Sequence, residues 1–496
     1  MLLTALAFVL VIGEAERFRS GTSSTRANGA LFGVHASVGS KGLILPALSE
    51  TLISHLTSSG SVAVILRECL RRSVNIGKFP MRKWLVSLFF LYSLSASAQK
   101  NNTLVIAHAT VIDCTGAAAK PNSTVVVTGG LISAVGPSET VTVPTGARVV
   151  DANGKFLIPG LWDMHGHLTD ATADAFPLLI MNGVTGVRDM GGDLAQIDGW
   201  RSEIDSGMRV GPHIVRAGPF VDGPKDGVSN RFTVSTPEEA RQAVRVLKAK
   251  SVDFIKVHNA LPPEAFFALM DEARKEHIPV AVHLPKGVSS AQASDAGVAS
   301  LEHIETINES ALWHKGATAK TVEQAEEENL GLAGQELFQR FVKNGTWYVP
   351  TLVAYERGFV LWSNDPESLK ARLDVHEKQI ELVRMMHKAG VQIMAGSDFS
   401  DWALVPGVDL HNELALLVEA GFSPTEALRA ATTGPAEFFG LAGSLGTVEA
   451  GKSADLVLLD ADPLQDIRSI MRIAAVIRQG RLYDAAALTR LRNKKP

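Results

Sequence analysis

The feature that most constrains the fold is a repeated alternation of strand-like and helical segments in the middle of the chain. Eight apolar runs recur, namely KFLIPGLWDMH, GVTGVRDM, PHIVRAG, DFIKVH, IPVAVHL, ASLEHI, WYVPTLVA and VQIMAGSD. Helical patterns such as STPEEARQAVRVLKAK, with a cap residue, an early proline and early acids, lie between most of them. The alternation predicts an α/β fold with a (β/α)₈ TIM-like barrel over 159–441, a fold typically about 250 residues long.

A doubly wound open sheet is the alternative fold for this region. However, neither GxGxxG nor GxxxxGK[ST] follows the first strand. The nucleotide-binding forms of that fold therefore lose their main support.

The two ends of the chain share a different pattern, rich in Val and Ile and interrupted by turns. TLVIAHATVID and STVVVTGGLISAVG precede the alternating region, and KSADLVLLD and IAAVIRQGRLYD follow it. Such runs, bounded by Gly-rich turns, indicate antiparallel hairpins. We therefore expect a small split β-sandwich domain built from 99–158 and 442–496.

Residues 81–98, MRKWLVSLFFLYSLSASA, have the order of a secretory signal peptide: two cations, an apolar run and small residues. The run is too short for a comfortable transmembrane helix, and no lipid-accepting cysteine follows it. This pattern predicts a secreted or periplasmic protein without a stable membrane anchor. Residues 1–80 are then expected to result from a misassigned start codon, with Met81 as the true start; a poorly ordered extension is the alternative.

The composition excludes several classes of site. The net charge is −4 and no long basic stripe occurs, so nucleic acid is not an expected partner. Only Cys69 and Cys114 are available, so a disulfide framework or a thiolate metal site is not expected. Any metal ion must be bound by His, Asp, Glu or Lys.

Six such residues lie at the predicted carboxyl ends of the strands, where barrel active sites are found. His165 and His167 are two apart on the first strand and would share a face. The six, which we call the strand-end cluster, are His165, His167, Lys256, His283, His303 and Asp398. Their convergence predicts a metal site.

Lys256 is the unusual member, because an ammonium group would repel metal ions. The alternation of DFIKVHN points Ile255 and Val257 outward and Lys256 inward. Burial depresses the pKa of a lysine, and the neutral amine can add carbon dioxide. Lys256 is therefore expected to form a carbamate that bridges two metals; the alternative is a cation that neutralises Asp398 or a substrate carboxylate.

These residues and motifs resemble the amidohydrolase superfamily, whose pattern is His-x-His, Lys, His, His, Asp. GVTGVRDMG, SLEHI, AGSD, HNELALLVEAGFSPTEALRAATTGPAEFFGL and GKSADLVLLDADPL are similar to its imidazolonepropionase-like branch, which includes Xaa-Pro dipeptidases and ochratoxin-type amidases. The resemblance implies that His165, His167 and Asp398 bind one ion. It also implies that His283 and His303 bind a second, with a hydroxide and the Lys256 carbamate bridging them.

The function that follows is hydrolysis of a C–N amide bond in a small molecule, such as a dipeptide or an N-acyl amino acid. Two divalent ions, for which zinc suits the ligands best, would activate the water, and Asp398 would transfer protons as the catalytic residue. A deaminase or cyclic-amide hydrolase is the alternative enzyme. Related deaminases place a glutamate three residues after the fifth-strand histidine, where this chain has Lys286. A non-catalytic barrel used for assembly is the third alternative.

Four further residues could support or border the site. Three of them have two possible roles each, and the fourth is expected to be structural. Arg188 is expected either to bind a substrate carboxylate or to pair with Asp189 or another acid that supports the site. His258 and Tyr355 are candidate substrate contacts, with loop or surface roles as the alternatives. Glu302 is expected to face the helices, away from the site. The long connections 308–345 and 355–390 could cover the site, and a homo-oligomer is left open.

Overall fold

The computed structural model describes residues 103–224, 230–307, 329–363, 365–400 and 404–493. The expected signal peptide and the segment before it lie outside these residues. The described chain has the α/β character that the sequence predicts, with one mixed sheet, two parallel sheets and helices between most of the parallel strands. None of the described helices has the length and apolarity needed to span a membrane.

The strands carry the residues of the site, and their bounds locate it. They are β1 (Thr103–Val111), β2 (Lys120–Thr128), β3 (Leu131–Pro137), β4 (Arg148–Asp151), β5 (Phe156–Pro159), β6 (Leu161–Gly166), β7 (Val184–Asp189), β8 (His213–Arg216), β9 (Phe220–Asp222), β10 (Arg231–Thr233), β11 (Ile255–Val257), β12 (Val280–Val282), β13 (Ser300–Glu302), β14 (Trp347–Val349), β15 (Leu456–Leu459), β16 (Ile473–Arg478) and β17 (Arg481–Asp484).

Helices separate most of the parallel strands. They are α1 (Leu168–Ala171), α2 (Ala175–Met181), α3 (Leu194–Asp205), α4 (Pro237–Ala249), α5 (Pro263–Lys275), α6 (Ser290–Asp295), α7 (Leu332–Asn344), α8 (Leu352–Trp362), α9 (Pro366–Ala389), α10 (Val408–Glu419), α11 (Pro424–Ala430), α12 (Thr433–Phe438) and α13 (Ala485–Asn493). Helix α4 begins as the sequence predicts, because Thr236 and Glu239 form a capping box ahead of it.

The mixed sheet combines strands from both ends of the described chain in the order β17-β16-β15-β5-β1-β2-β3, with β4 beside β1. It is one continuous sheet, so the separate layers expected of a β-sandwich are not found among the residues described. The long strand β1 explains this, because its first half pairs with β4 and its second half pairs with β5. Leu104, Ile106, Leu456 and Ile477 belong to the apolar cluster that this sheet buries.

The parallel strands form a three-stranded sheet, β6-β7-β8, and a six-stranded sheet, β10-β9-β11-β12-β13-β14. Backbone contacts of residues 391–399 connect the two sheets. Ile393 bridges to Tyr348 of β14, and Phe399 bridges to Gly166 of β6, both in parallel. This segment therefore takes the place of a strand between β14 and β6.

Close packing explains two glycines in this region. A Cβ on Gly396 would lie 2.8 Å from the Cβ of His165, and a Cβ on Gly166 would overlap the ring of Phe399. Glycine at both positions lets β6 and the segment 391–399 approach each other, which brings His165 toward Asp398.

Candidate metal centre

Five members of the strand-end cluster, the four histidines and Asp398, lie in one continuous group in the structure. The ring centroids of His165 and His167 are 5.4 Å apart, those of His165 and His303 are 4.5 Å apart, and those of His303 and His283 are 4.8 Å apart. Asp398 Oδ1 lies 3.4 Å from His165 Nε2 and 3.2 Å from His167 Nε2. The six side chains come from five strands or strand ends that are far apart in the sequence.

Three members could share one ion. One ligand atom each of His165, His303 and Asp398 lie within 4.8 Å of one another. This trio joins histidines that the family resemblance assigns to different ions, so the two expected sites are adjacent.

The backbone at two cluster residues is strained. His303 has φ 71° and Asp398 has φ 61°, in the left-handed region of backbone conformation that residues other than glycine rarely adopt. Such conformations cost about 1–3 kcal/mol each and concentrate at functional sites. At His303, which directly follows β13, the positive φ interrupts the alternation of side chains along that strand.

Lys256 is the member of the cluster whose environment is most unusual. The residue is 1% exposed, and its Nζ has no hydrogen-bond partner in the described part of the chain. Burial lowers the pKa of its ammonium group to about 8. The neighbouring Ile255 and Val257 belong to the apolar core, as the alternation predicts. An unpartnered buried amine fits a lysine that is to be carboxylated and to bind metal.

Two of the cluster histidines, His165 and His303, have pKa values that suit metal ligation. Burial lowers the pKa of His165 and of His303 well below the usual value, so both rings are neutral at pH 7. Burial alone would also lower the pKa of His167, but its hydrogen bond to Asp398 and the charge of that carboxylate raise it. Neutral imidazoles and a carboxylate are ligands that zinc accepts.

Beneath the cluster lies a second group of polar side chains, which we call the buried polar layer. It consists of Asp163, Arg188, Ser300, Glu302 and Ser397, all of them buried. Arg188 is fully buried, and its guanidinium donates to Met164 O, Ser300 Oγ and both oxygens of Glu302 at 2.6–2.9 Å. Of the two roles expected for Arg188, the structure therefore favours pairing with an acid that supports the site over contact with a substrate.

The predicted orientation of Glu302 is wrong. Its Oε2 lies 2.9 Å from His165 Nδ1, so the side chain faces the interior and not the helices. The reason is the left-handed turn at His303, which allows two successive side chains to reach the same interior. Glu302 thus orients the imidazole of His165, a common role for an acid next to a metal-binding histidine.

Asp163 performs a similar task on the other side of His165. Its Oδ1 accepts from the backbone N–H of His165 and of Ser397, and its Oδ2 accepts from Ser397 Oγ at 2.5 Å. Asp163 therefore fixes the distance between the strands that present His165 and Asp398. Burial raises its pKa to about 7. Sequence reasoning missed this residue, although it lies only two positions before His165.

The remaining candidate residues lie around the cluster. The ring centroid of His258 is 4.7 Å from that of His283, and His258 Nδ1 lies 3.4 Å from the buried Asp222. Tyr355 forms a hydrogen bond with Glu305, whose Oε1 lies 3.3 Å from His283 Nε2. Asp222 and Glu305 were not anticipated from the sequence. Position 286, where related deaminases have a glutamate, is an exposed lysine.

Comparison with known proteins identifies relatives across most of the described chain. The sequence profile described as "Amidohydrolase family" matches residues 156–483. Ochratoxinase from Aspergillus niger is 24% identical over 388 residues, covering 64% of this chain and 73% of the relative. Imidazolonepropionase from Symbiobacterium thermophilum is 26% identical over 409 residues, covering 74% of this chain and 91% of the relative.

A solved structure shares the fold. A provisionally named prolidase from Bifidobacterium longum superposes with a TM-score of 0.62 at 28% identity. The alignment covers 79% of this chain and 98% of that protein.

Proposed function

The chain belongs to the amidohydrolase family and is a hydrolase acting on carbon–nitrogen bonds, and on that premise we propose that it cleaves an amide bond in a small molecule with two bound metal ions. The substrate is a dipeptide, an N-acyl amino acid or a related small amide. The observation that carries this proposal is the convergence of four imidazoles and a carboxylate at one site, together with the buried amine of Lys256, which has no hydrogen-bond partner among the residues described.

The donor set supports zinc as the ion at both positions. His165, His167 and Asp398 would hold one ion, His283 and His303 would hold the other, and carboxylated Lys256 would contribute to both. When bound, such ions act as Lewis acids on the amide carbonyl and lower the pKa of a nearby water. Carbon dioxide is then a second cofactor, incorporated as the carbamate.

The protein's own residues would manage the protons. Asp398 presents Oδ1 to His165 and His167, which leaves Oδ2 to accept a proton from the attacking water. The same oxygen would then donate that proton to the departing amine, since an unprotonated amine anion leaves poorly. Glu302 and Asp163 keep His165 in place during these steps. His258 and Tyr355 remain the candidates for substrate contact.

The proposal includes the closed barrel that the alternating segments predict. The bridges from Ile393 to Tyr348 and from Phe399 to Gly166 support closure on one side. The hydrogen bond from Asp253 N to Arg216 O supports closure between β8 and the strand that carries Lys256. In such a barrel all six cluster residues would face one opening.

Secretion is part of the proposal and rests on the signal-peptide pattern at 81–98. Sequencing the N-terminus of the protein from the extracytoplasmic fraction of its host tests it. A mature N-terminus near Gln99 is expected, whereas a retained 81–98 segment in the cytoplasm would contradict it.

The activity is tested with the full chain produced in the presence of zinc and bicarbonate. The protein is incubated with dipeptides, N-acyl amino acids, cyclic amides and aminated nucleobases, and the products are followed by mass spectrometry. We expect a free amino acid from one of the first two groups. Ammonia from the nucleobases alone would instead identify a deaminase, and a metal-loaded protein that hydrolyses nothing would favour the non-catalytic alternative.

Hydrolysis of a cyclic amide is the second candidate. It is motivated by the similarity to imidazolonepropionase, of which the chain covers 91%. Ring opening of a cyclic amide in the same panel, without cleavage of linear amides, would favour it.

A further inference from the structure

Glu305 lies against the strand-end cluster, although it is not part of the six-residue pattern. It belongs to the short 3₁₀ turn Ile304–Ile307 that follows β13. Its Oε1 is 3.3 Å from Nε2 of His283, and its side chain is 17% exposed. A carboxylate is thus held beside a predicted ligand of the second ion, on the side of the ring nitrogen.

The spacing is that of two ligands on one ion. Two donor atoms about 2.0–2.1 Å from one zinc ion are separated by about 3.3–3.4 Å at a tetrahedral angle, and by about 2.8–3.6 Å at the roughly 90–120° angles of a five-coordinate ion. The distances from Asp398 Oδ1 to His165 Nε2 and to His167 Nε2, 3.4 and 3.2 Å, have the same size. The pair of Glu305 and His283 therefore repeats the separation seen between the expected ligands of the first ion.

Tyr355 supplies the outer contact that a ligating carboxylate usually has. The hydrogen bond of its hydroxyl to Glu305 orients the carboxylate. Metal-binding carboxylates are commonly held by such a donor, which fixes the direction of the free oxygen. This contact also gives Tyr355 a role without requiring it to touch substrate.

We propose that Glu305 is a ligand of the second metal ion, together with His283, His303 and the Lys256 carbamate. The inference rests on the two-ion site of the proposed function. Glu305 would add a third anionic group beside Asp398 and the carbamate and thereby offset more of the positive charge of the two ions. An extra oxygen ligand would raise the coordination number of the second ion from four to five when one water is bound.

The test measures metal binding directly and needs no substrate. The full chain, Glu305→Gln and the charge-matched control Glu264→Gln, at an exposed position on α5, are stripped of metal and supplied with bicarbonate. Zn²⁺ affinity is measured by competition with a chromophoric chelator, and bound ions are counted by mass spectrometry. Each protein is also loaded with Co²⁺, whose visible absorption reports the coordination number.

In the unmodified chain and in Glu264→Gln we expect two ions of similar affinity. In Glu305→Gln we expect one ion to remain tight and the other to bind about 100-fold or more weakly, at or above the upper range for losing an outer-shell partner. The Co²⁺ spectrum of Glu305→Gln should be more intense per ion, because four-coordinate Co²⁺ absorbs more strongly than five-coordinate Co²⁺.

Two outcomes would overturn the inference in different ways. If Glu305→Gln binds both ions with unchanged affinity and an unchanged Co²⁺ spectrum, Glu305 is not a ligand, while the two-ion site stands; a raised KM for cationic substrates would then assign it to the substrate. If the unmodified chain binds fewer than two ions, the proposed function fails together with this inference.

A second variant covers the case in which Glu305→Gln does not fold. Tyr355→Phe retains the carboxylate and removes only the hydrogen bond that orients it. We expect the second ion to bind about 10-fold more weakly in this variant, the lower end of the range for an outer-shell contact. An affinity equal to that of the unmodified chain would contradict the ligand role.

Discussion

Two neighbouring groups of polar side chains in this protein, the buried polar layer and the strand-end cluster, differ in how many of their buried polar atoms have hydrogen-bond partners. In the buried polar layer, the guanidinium of Arg188 donates to four oxygen atoms of the protein. In the strand-end cluster directly above, His165 Nε2 and Lys256 Nζ are buried and have no hydrogen-bond partner among the residues described. Both groups contain charged residues in the interior, but only one of them is complete by itself.

The difference separates support from function. Buried polar atoms are almost always hydrogen-bonded, since leaving one unpaired costs about 1–3 kcal/mol. The hydrogen bonds within the buried polar layer can be explained by stability and positioning alone. The strand-end cluster has buried polar atoms without such partners among the residues described, and its backbone is strained at His303 and Asp398. A bound metal ion would explain both features.

The largest effect is expected when the cluster loses its amine. Lys256→Ala removes the amine that is proposed to form the carbamate, so kcat/KM should fall at least about a thousandfold, equivalent to ~4 kcal/mol of transition-state stabilisation. Metal content per chain should fall in parallel, and added acetate or formate should restore part of the activity. Kinetics on the identified substrate, with elemental analysis, measures both.

Lys286→Ala, which changes an exposed lysine nearby, serves as its control and should have little effect. If Lys256→Ala kept full activity and bound two ions, metal binding by the cluster would not depend on the amine. The lack of a hydrogen-bond partner at Lys256 Nζ would then no longer distinguish the cluster from the buried polar layer.

Breaking the buried polar layer should reduce stability. Arg188→Ala leaves the charge of Glu302 buried without its partner, which costs about 3–5 kcal/mol. Denaturant unfolding of the metal-free protein gives the value. The double variant Arg188→Met/Glu302→Leu should recover part of the loss, because it leaves no unpaired charge.

The exposed pair of Lys370 and Asp374 provides the comparison for this prediction. Lys370→Ala should change the free energy of unfolding by no more than about 0.5 kcal/mol. Equal effects at the two sites would mean that the buried layer does not contribute the stability assigned to it.

Metal removal should act on the cluster and leave the layer intact. If zinc completes the cluster, free zinc at 100 times its dissociation constant stabilises the folded chain by about 2.7 kcal/mol. The melting temperature should therefore drop on chelation, while the far-ultraviolet circular dichroism of the chelated protein below the transition stays unchanged. A melting temperature insensitive to zinc would argue against a metal centre.

The smallest effect is expected at Asp163, which links the layer to the cluster. Asp163→Asn keeps the size of the side chain but turns one acceptor into a donor, next to the N–H and hydroxyl donors of Ser397. We expect a loss of about 1–3 kcal/mol in the free energy of unfolding. Zinc affinity should also fall, since Asp163 sets the separation of His165 and Asp398, and chelator competition measures this change. An unchanged affinity would limit Asp163 to stability alone.

Sequence reasoning was most successful where the alternation of side chains along a strand and the chemical type of a residue pointed to the same role. The inward orientation of Lys256 followed from alternation on its strand, and the family resemblance is confirmed by a profile match over residues 156–483. It failed at Glu302, because the period of two does not hold across a residue with positive φ such as His303. It also left Arg188 undecided, because a buried arginine and a substrate-binding arginine have the same local sequence.

The sequence by itself determined the residue types and the strand positions of the six cluster residues, since both depend on local periodicity and on the order of motifs along the chain. Only the tertiary structure decided which atoms are left unbonded, which acids support His165, and that Glu305 reaches His283. The physical reason is that hydrogen bonding and ligand spacing depend on distances between strands. Those distances are set by the packing of residues such as Gly396 against His165, far apart in the sequence.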